Sequence, residues 1–225
     1  MRFLRVLMLT CGLASLASTS SAAQEGRLFK DSWFWGLKAG ALTYASSTTS
    51  NGGAPMVGGE WLITRTQGGL YVSLDQAFLS TTGGFVDHSP DSAAAFVSPV
   101  NLTNMRRFTI AGTFFPGATR DRHPYFGVGL AINQIASASL VYPSTTDAHT
   151  KTANDSIQSK KASFAPVLLG GVQFRKKSYS VFAQGTASLT SQRFFLSNPT
   201  SSRGFDLSIE AGVRYNAGSS IDRAH

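Results

Sequence analysis

A chain of 225 residues with a formal charge of +8 is long enough for one large β domain or two small ones, and no linker divides it. Its single cysteine, Cys11, lies in the N-terminal segment, so the body of the chain has no disulfide to hold it together. Lys and Arg are scattered among turns and loops, which argues against nucleic acid and suits anionic lipid head groups, polysaccharide, or simple solvation of the ends of the fold.

The N-terminus reads MRFLRVLMLTCGLASLASTSSAAQ, with Arg2 and Arg5 ahead of an apolar run from Phe3 to Leu16 and small residues at Ser21, Ala22 and Ala23. This layout predicts a secretory signal peptide over residues 1–23, leaving 24–225 as a single domain. The apolar run falls short of the roughly 20 residues a spanning helix needs. No later segment is long and apolar enough either, so any membrane crossing must be made by strands.

Eight stretches then read as strands, and seven of them alternate apolar and polar or small residues, the period of a strand whose successive side chains face opposite ways. Residues 33–43 put Trp35, Leu37, Ala39 and Ala41 opposite Gly36, Lys38 and Gly40. Residues 56–63 put Val57, Gly59, Trp61 and Ile63 opposite Gly58, Glu60 and Leu62, and 70–79 put Leu70, Val72 and Leu74 opposite Tyr71, Ser73 and Asp75. Residues 106–115 oppose Phe108, Ile110, Gly112 and Phe114 to Arg107, Thr109, Ala111 and Thr113. Residues 125–133 set Phe126, Val128, Leu130 and Ile132 against Gly127, Gly129, Ala131 and Asn133. Residues 164–174 are less regular, since Val167 and Leu169 fall on the polar face, and 179–189 leave the register open. The last stretch, FDLSIEAGVRY, alternates without a break from Phe205 to Tyr215 and ends in the short tail NAGSSIDRAH.

Connections alternate between long and short: a loop after 43, a turn TRTQG, a loop over 80–103, a turn over 116–123, a loop over 136–161, a turn RKKS, and a loop over 190–204. The loops are rich in Ser, Thr, Gly, Asn and Asp and show no sustained helical period. Transmembrane barrels sort loop length by end in this way and ring both ends with aromatics. Trp33, Trp35, Trp61, Phe114, Phe115, Tyr125, Phe174, Tyr179 and Tyr215 stand near the turn-side strand ends as girdle candidates, and Phe78, Phe108, Phe164 and Phe205 at the other end.

PYFGVGLA at 124–131, LLGGVQF at 168–174 and EAGVRYNAGSS at 210–220 place Gly beside bulky residues of the opposite face. With the loop pattern, the chain resembles the small eight-stranded outer-membrane β-barrels of the outer-membrane protein A and X type. That resemblance covers the whole of 24–225 and implies an all-β, antiparallel, up-and-down transmembrane barrel in a Gram-negative cell envelope. It implies as partners outer-membrane lipid, lipopolysaccharide and the barrel assembly machinery. It supplies no catalytic motif, and Tyr215 departs from the pattern by not being the terminal residue.

An eight-stranded barrel is filled by side chains or holds one small ligand, which disfavours a diffusion pore. Its inward charges are expected to be Lys38, Glu60, Asp75, Arg107, Glu210 and Arg214, each costly unless paired. Strand adjacency predicts Lys38 between Glu60 and Glu210, and Asp75 against Arg107. Glu60 and Glu210 have the chemistry of an acid–base pair but lack a route for substrate. His88, His123, His149 and His225 lie far apart, so neither a metal nor another cofactor is expected.

Related barrels include lipid A acyltransferases and deacylases, for which His88 and Ser89 of DHSPD would be the candidates. A soluble lipocalin-like cup would turn the apolar faces inward, but the chain reads W-F-W-G at 33–36 where lipocalins carry G-x-W. The reading that results is a non-enzymatic barrel contributing to envelope structure or presenting loops.

Overall fold

Period-two patterning becomes strand almost residue for residue. The computed structural model describes residues 31–45, 52–87, 96–116, 122–141, 147–190, 194–196 and 204–219. Among them are eight strands, β1 (Ser32–Tyr44), β2 (Gly52–Thr64), β3 (Gly68–Asp87), β4 (Phe96–Phe114), β5 (Arg122–Leu140), β6 (Ala162–Lys176), β7 (Tyr179–Thr190) and β8 (Gly204–Ser219). Each pairs antiparallel with the next, and β1 pairs with β8 through Trp35↔Tyr215, Leu37↔Val213 and Gly40↔Glu210, so the sheet closes into a barrel. Closure leaves the barrel wall without an edge.

The faces are divided as alternation dictates. Leu37, Phe164 and Ile209 point outward at 76%, 74% and 68% exposure, while Lys38, Glu60 and Glu210 are buried inside. An apolar exterior around a polar interior is the inverse of a lipocalin cup, and so rules that arrangement out. Val167 and Leu169, which blur the pattern of β6, are both buried inside the barrel.

Two connections and the C-terminal tail differ from the sequence expectation. Most of the predicted loop 80–103 is strand, because β3 runs to Asp87 and β4 starts at Phe96. A register shift between Ala77 and Ser80, opposite Asn104 with its positive φ of 57°, changes the phase of the pattern. Asn tolerates that left-handed conformation better than most residues. Likewise β5 continues to Leu140, and β3, β4 and β5 together stand taller than the other strands.

The loop before β6 contains a helix, α1 (Asp147–Lys160), where no helical period is visible. A helix whose one large apolar residue is Ile157, which is buried, has no stripe for periodicity to reveal. Last, β8 extends to Ser219, so 216–219 belong to the wall rather than to a tail. The signal peptide over 1–23, His88, Ser89 and His225 lie outside the described residues. No helix among the described residues is long and apolar enough to cross a membrane, which says nothing about crossing by strands.

Candidate functional site

The barrel interior is layered. At the turn end Phe34, Leu62, Phe115 and Leu169 pack with the rings of Tyr71 and Tyr125. At the loop end Leu42, Met56, Leu79, Leu102, Met105 and Ile135 pack with Ile157 of α1 and with Phe194–Leu196. Between these apolar layers lie all six charges expected inside, joined by a seventh, Asp206. Asp206 shares the face of Ser208 and Glu210, so alternation alone places it there.

Which charges meet is decided by glycines. Lys38 is flanked across the sheet by Gly58 on one side and Gly212 on the other. Asp75, the partner of Gly58 on β3, reaches over that glycine to within 3.1 Å of Lys38 Nζ. From the other side Glu210 Oε2 accepts from Nζ at 2.6 Å. Lys38 therefore does sit between two carboxylates, but the second is Asp75 and not Glu60.

Glu60 instead pairs with Arg214, and Gly36 is what allows it. Gly36 stands opposite both residues in the register, and a Cβ there would lie 2.8 Å from Glu60 Oε1 and 3.1 Å from Arg214 Cγ. Arg214 donates from Nε to Glu60, from Nη1 to Gln173 Oε1 at 2.6 Å and from Nη2 to the Tyr125 hydroxyl at 3.2 Å. Its guanidinium also lies 3.9 Å from the Phe182 ring centroid, a cation–π contact.

Tyr125 is thus an interior residue, and its placement in the girdle is overturned. Alternation on β5 puts Phe126 outside and Tyr125 inside, where its hydroxyl donates to Gln184 Oε1 at 2.9 Å. Gln184 Nε2 reaches the Tyr71 hydroxyl at 3.2 Å and Glu210 Oε2 at 3.3 Å, joining the two ion-pair centres into one network. The expected Asp75–Arg107 pair is also replaced. These two are register partners, but Arg107 reaches across the barrel to Asp206 at 3.4 Å and to Asn133 Oδ1 at 2.7 Å, since Lys38 holds Asp75.

Phe115 is likewise buried in the interior, and the other seven turn-side candidates lie on the exterior face. Trp33, Trp35, Phe114, Phe174 and Tyr215 are exposed on the exterior, and Trp61 is half-buried between Trp33 and Trp35. Trp35 stacks on Trp61 at 5.4 Å, and Tyr179 lies 5.2 Å from Tyr215.

An apolar exterior, an aromatic ring at the turn end and a closed eight-strand order can be compared directly with solved structures. Neisserial surface protein A aligns with 81% of this chain and 96% of its own, at 12% identity and a TM-score of 0.52. The chain has the fold of the small eight-stranded outer-membrane β-barrels. The attachment invasion locus protein of Yersinia pestis covers 83% of this chain and 100% of its own, at 8% identity and a TM-score of 0.47. Outer membrane protein OprG of Pseudomonas aeruginosa covers 84% and 98%, at 8% identity and a TM-score of 0.44. No protein-family model and no curated protein matches the chain.

As an outer-membrane barrel fold, the molecule has its most individual feature at the loop end. There Phe195 packs against β3, so closely that a Cβ on Gly83 would lie 3.4 Å from the ring. Tyr71, Gln173, Gln184 and Asp206 in the network, and Ile157 and Phe194–Leu196 in the lid, are not among the residues expected from sequence. A signal for the lid was present: Phe194, Phe195 and Leu196 form an apolar triplet inside a polar loop.

Proposed function

We propose that the protein is a non-enzymatic barrel of the bacterial outer membrane, which supports the envelope and holds its loop end rigidly at the cell surface. The observation that carries this reading is the sealed interior. Polar side chains fill the middle and bond to one another, while apolar layers close both ends. Among the described residues, such packing leaves little room for a solute path or a substrate cleft.

The two carboxylates with acid–base potential are each tied to a cation, Glu60 to Arg214 and Glu210 to Lys38. Both carboxylates are buried in the interior, away from any surface where a substrate could meet them. The exterior supports residence among lipids, since a band of exposed Leu, Val, Ile and Phe above Trp and Tyr matches the hydrocarbon layer and its interface. On this reading the partners are outer-membrane lipid and lipopolysaccharide, with the barrel assembly machinery acting during insertion.

Outer-membrane fractionation, gel electrophoresis with and without boiling, and single-channel recording in a planar bilayer test the proposal together. A fast-migrating unboiled band from the outer-membrane fraction, with no steady current, is expected. Soluble protein without a band shift would end the membrane reading, and a sustained open-channel current would end the sealed-barrel one.

A further inference from the structure

The exterior is not uniform: one strip of it, along β1 to β4, is a trough that ends in a cation. Three rows of outward residues define it. The lowest runs Trp35, Trp61, Val72 and the next Leu37, Gly59, Leu74, Phe108. The highest runs Ala39, Val57, Gln76, Arg106.

Gly59 provides the depth, because it lies flat between Leu37 and Leu74, which project at 76% and 61% exposure. The lower hollow measures about 680 Å³ and the upper about 490 Å³, and the two adjoin at Leu37 and Leu74, which line both.

Arg106 gives the trough a polar end. Among the described outward residues it is the one charge on the body of the wall, since Arg122 and Lys176 stand at the turn end. It sits one outward step above Phe108, and its Nε donates to Gln76 Oε1 at 3.4 Å. A lipid-facing arginine is costly in mid-membrane and nearly free at the interface, which puts Arg106 at the upper margin of the apolar band.

We propose that this trough holds one phosphorylated glycolipid of the outer leaflet. An acyl chain lies over Gly59 between Leu37 and Leu74 and ends on the stacked Trp35 and Trp61, and a phosphate oxygen accepts from Arg106, with Gln76 beside it. Charge complementarity selects this occupant, because a guanidinium pairs with phosphate through two parallel hydrogen bonds and gains little from a neutral head group. The proposal rests on the membrane reading above and adds a site to it.

The test is native mass spectrometry of the detergent-purified protein titrated with bisphosphorylated lipid A and with its dephosphorylated form. Wild type is expected to retain the phosphorylated lipid about fivefold better, the increment of one cation at a charged lipid surface. Arg106→Gln removes that preference. Gly59→Leu fills the trough and weakens both lipids, and it folds because a Cβ there meets nothing closer than 3.9 Å. Arg122→Gln, at the other end of the wall, changes nothing. Equal retention of the two lipids by wild type, or unchanged retention by both variants, overturns the site while leaving the barrel in place. Wild type that shows no heat-dependent band shift overturns the site and the membrane reading together.

Discussion

Asp75 and Lys38 are 3.1 Å apart although a whole strand separates them. Gly58 makes that contact: a Cβ built on it would fall 1.9 Å from Asp75 Oδ1. The neighbouring Gly59 faces outward with open space around it. Gly58→Ala is therefore expected to push Asp75 off Lys38 and cost about 2–4 kcal/mol, as breaking a buried ion pair does. Gly59→Ala should stay within about 0.5 kcal/mol of wild type. Urea unfolding in detergent separates the two, and equal midpoints for both variants would show that Gly58 does not control the contact.

Arg214 is fully buried and serves Glu60, Gln173 and Tyr125 at once. Arg214→Met leaves a carboxylate and two polar partners unsatisfied in the interior, an expected loss of about 3–5 kcal/mol. Glu60→Met alone strands the guanidinium at a comparable cost. The double variant removes both charges and should recover most of the loss, because an apolar pair of similar volume often replaces a buried ion pair without penalty. The check is a double-mutant cycle on unfolding midpoints; simple additivity would mean that the two residues do not act as a pair.

Among the described side chains of α1, Ile157 is the buried one, and it packs in the cluster of Leu102, Met105 and Phe194–Leu196. Ile157→Ala is expected to weaken lid docking by about 2–4 kcal/mol. The wall should keep its stability, since the lid contributes no strand to it. Limited trypsin digestion should then cut faster at Lys160 and Lys161 while the unboiled band stays in place. Cleavage at the wild-type rate would mean that other contacts hold the lid.

The faces of the strands were legible because alternation depends only on backbone geometry, and every inward charge expected from it is inward. Who pairs with whom was not legible, because that depends on which neighbour lacks a side chain. Lys38 goes to Asp75 through Gly58, and Glu60 goes to Arg214 past Gly36. The upper part of β4 was hidden for another reason: at Asn104 its phase changes, from inward Val100 and Leu102 to inward Met105 and Arg107. Helix α1 escaped because Ile157 is its one large apolar residue, which makes no period. Tyr125 was misplaced because a strand-end position does not tell which face a ring takes, although the alternation of β5 did.

The end of β8 gives the last test. Asn216 is buried, its Nδ2 donates to Ser32 Oγ at 3.3 Å and its backbone N–H donates to Ser178 O at 2.8 Å. Phe34↔Asn216, Trp33↔Gly218 and Ser32↔Ser219 continue the seam that closes the barrel. Ending the chain at Tyr215 removes these three pairs and exposes the backbone of Ser32 to Phe34 as a new edge. The truncated barrel is expected to lose its fast-migrating band at a lower temperature than wild type. Asn216→Leu keeps the ladder but leaves its partners without the amide, an expected cost of about 1–3 kcal/mol. A truncated protein that keeps its band to the wild-type temperature would make 216–219 a tail after all, with the barrel closed at Tyr215.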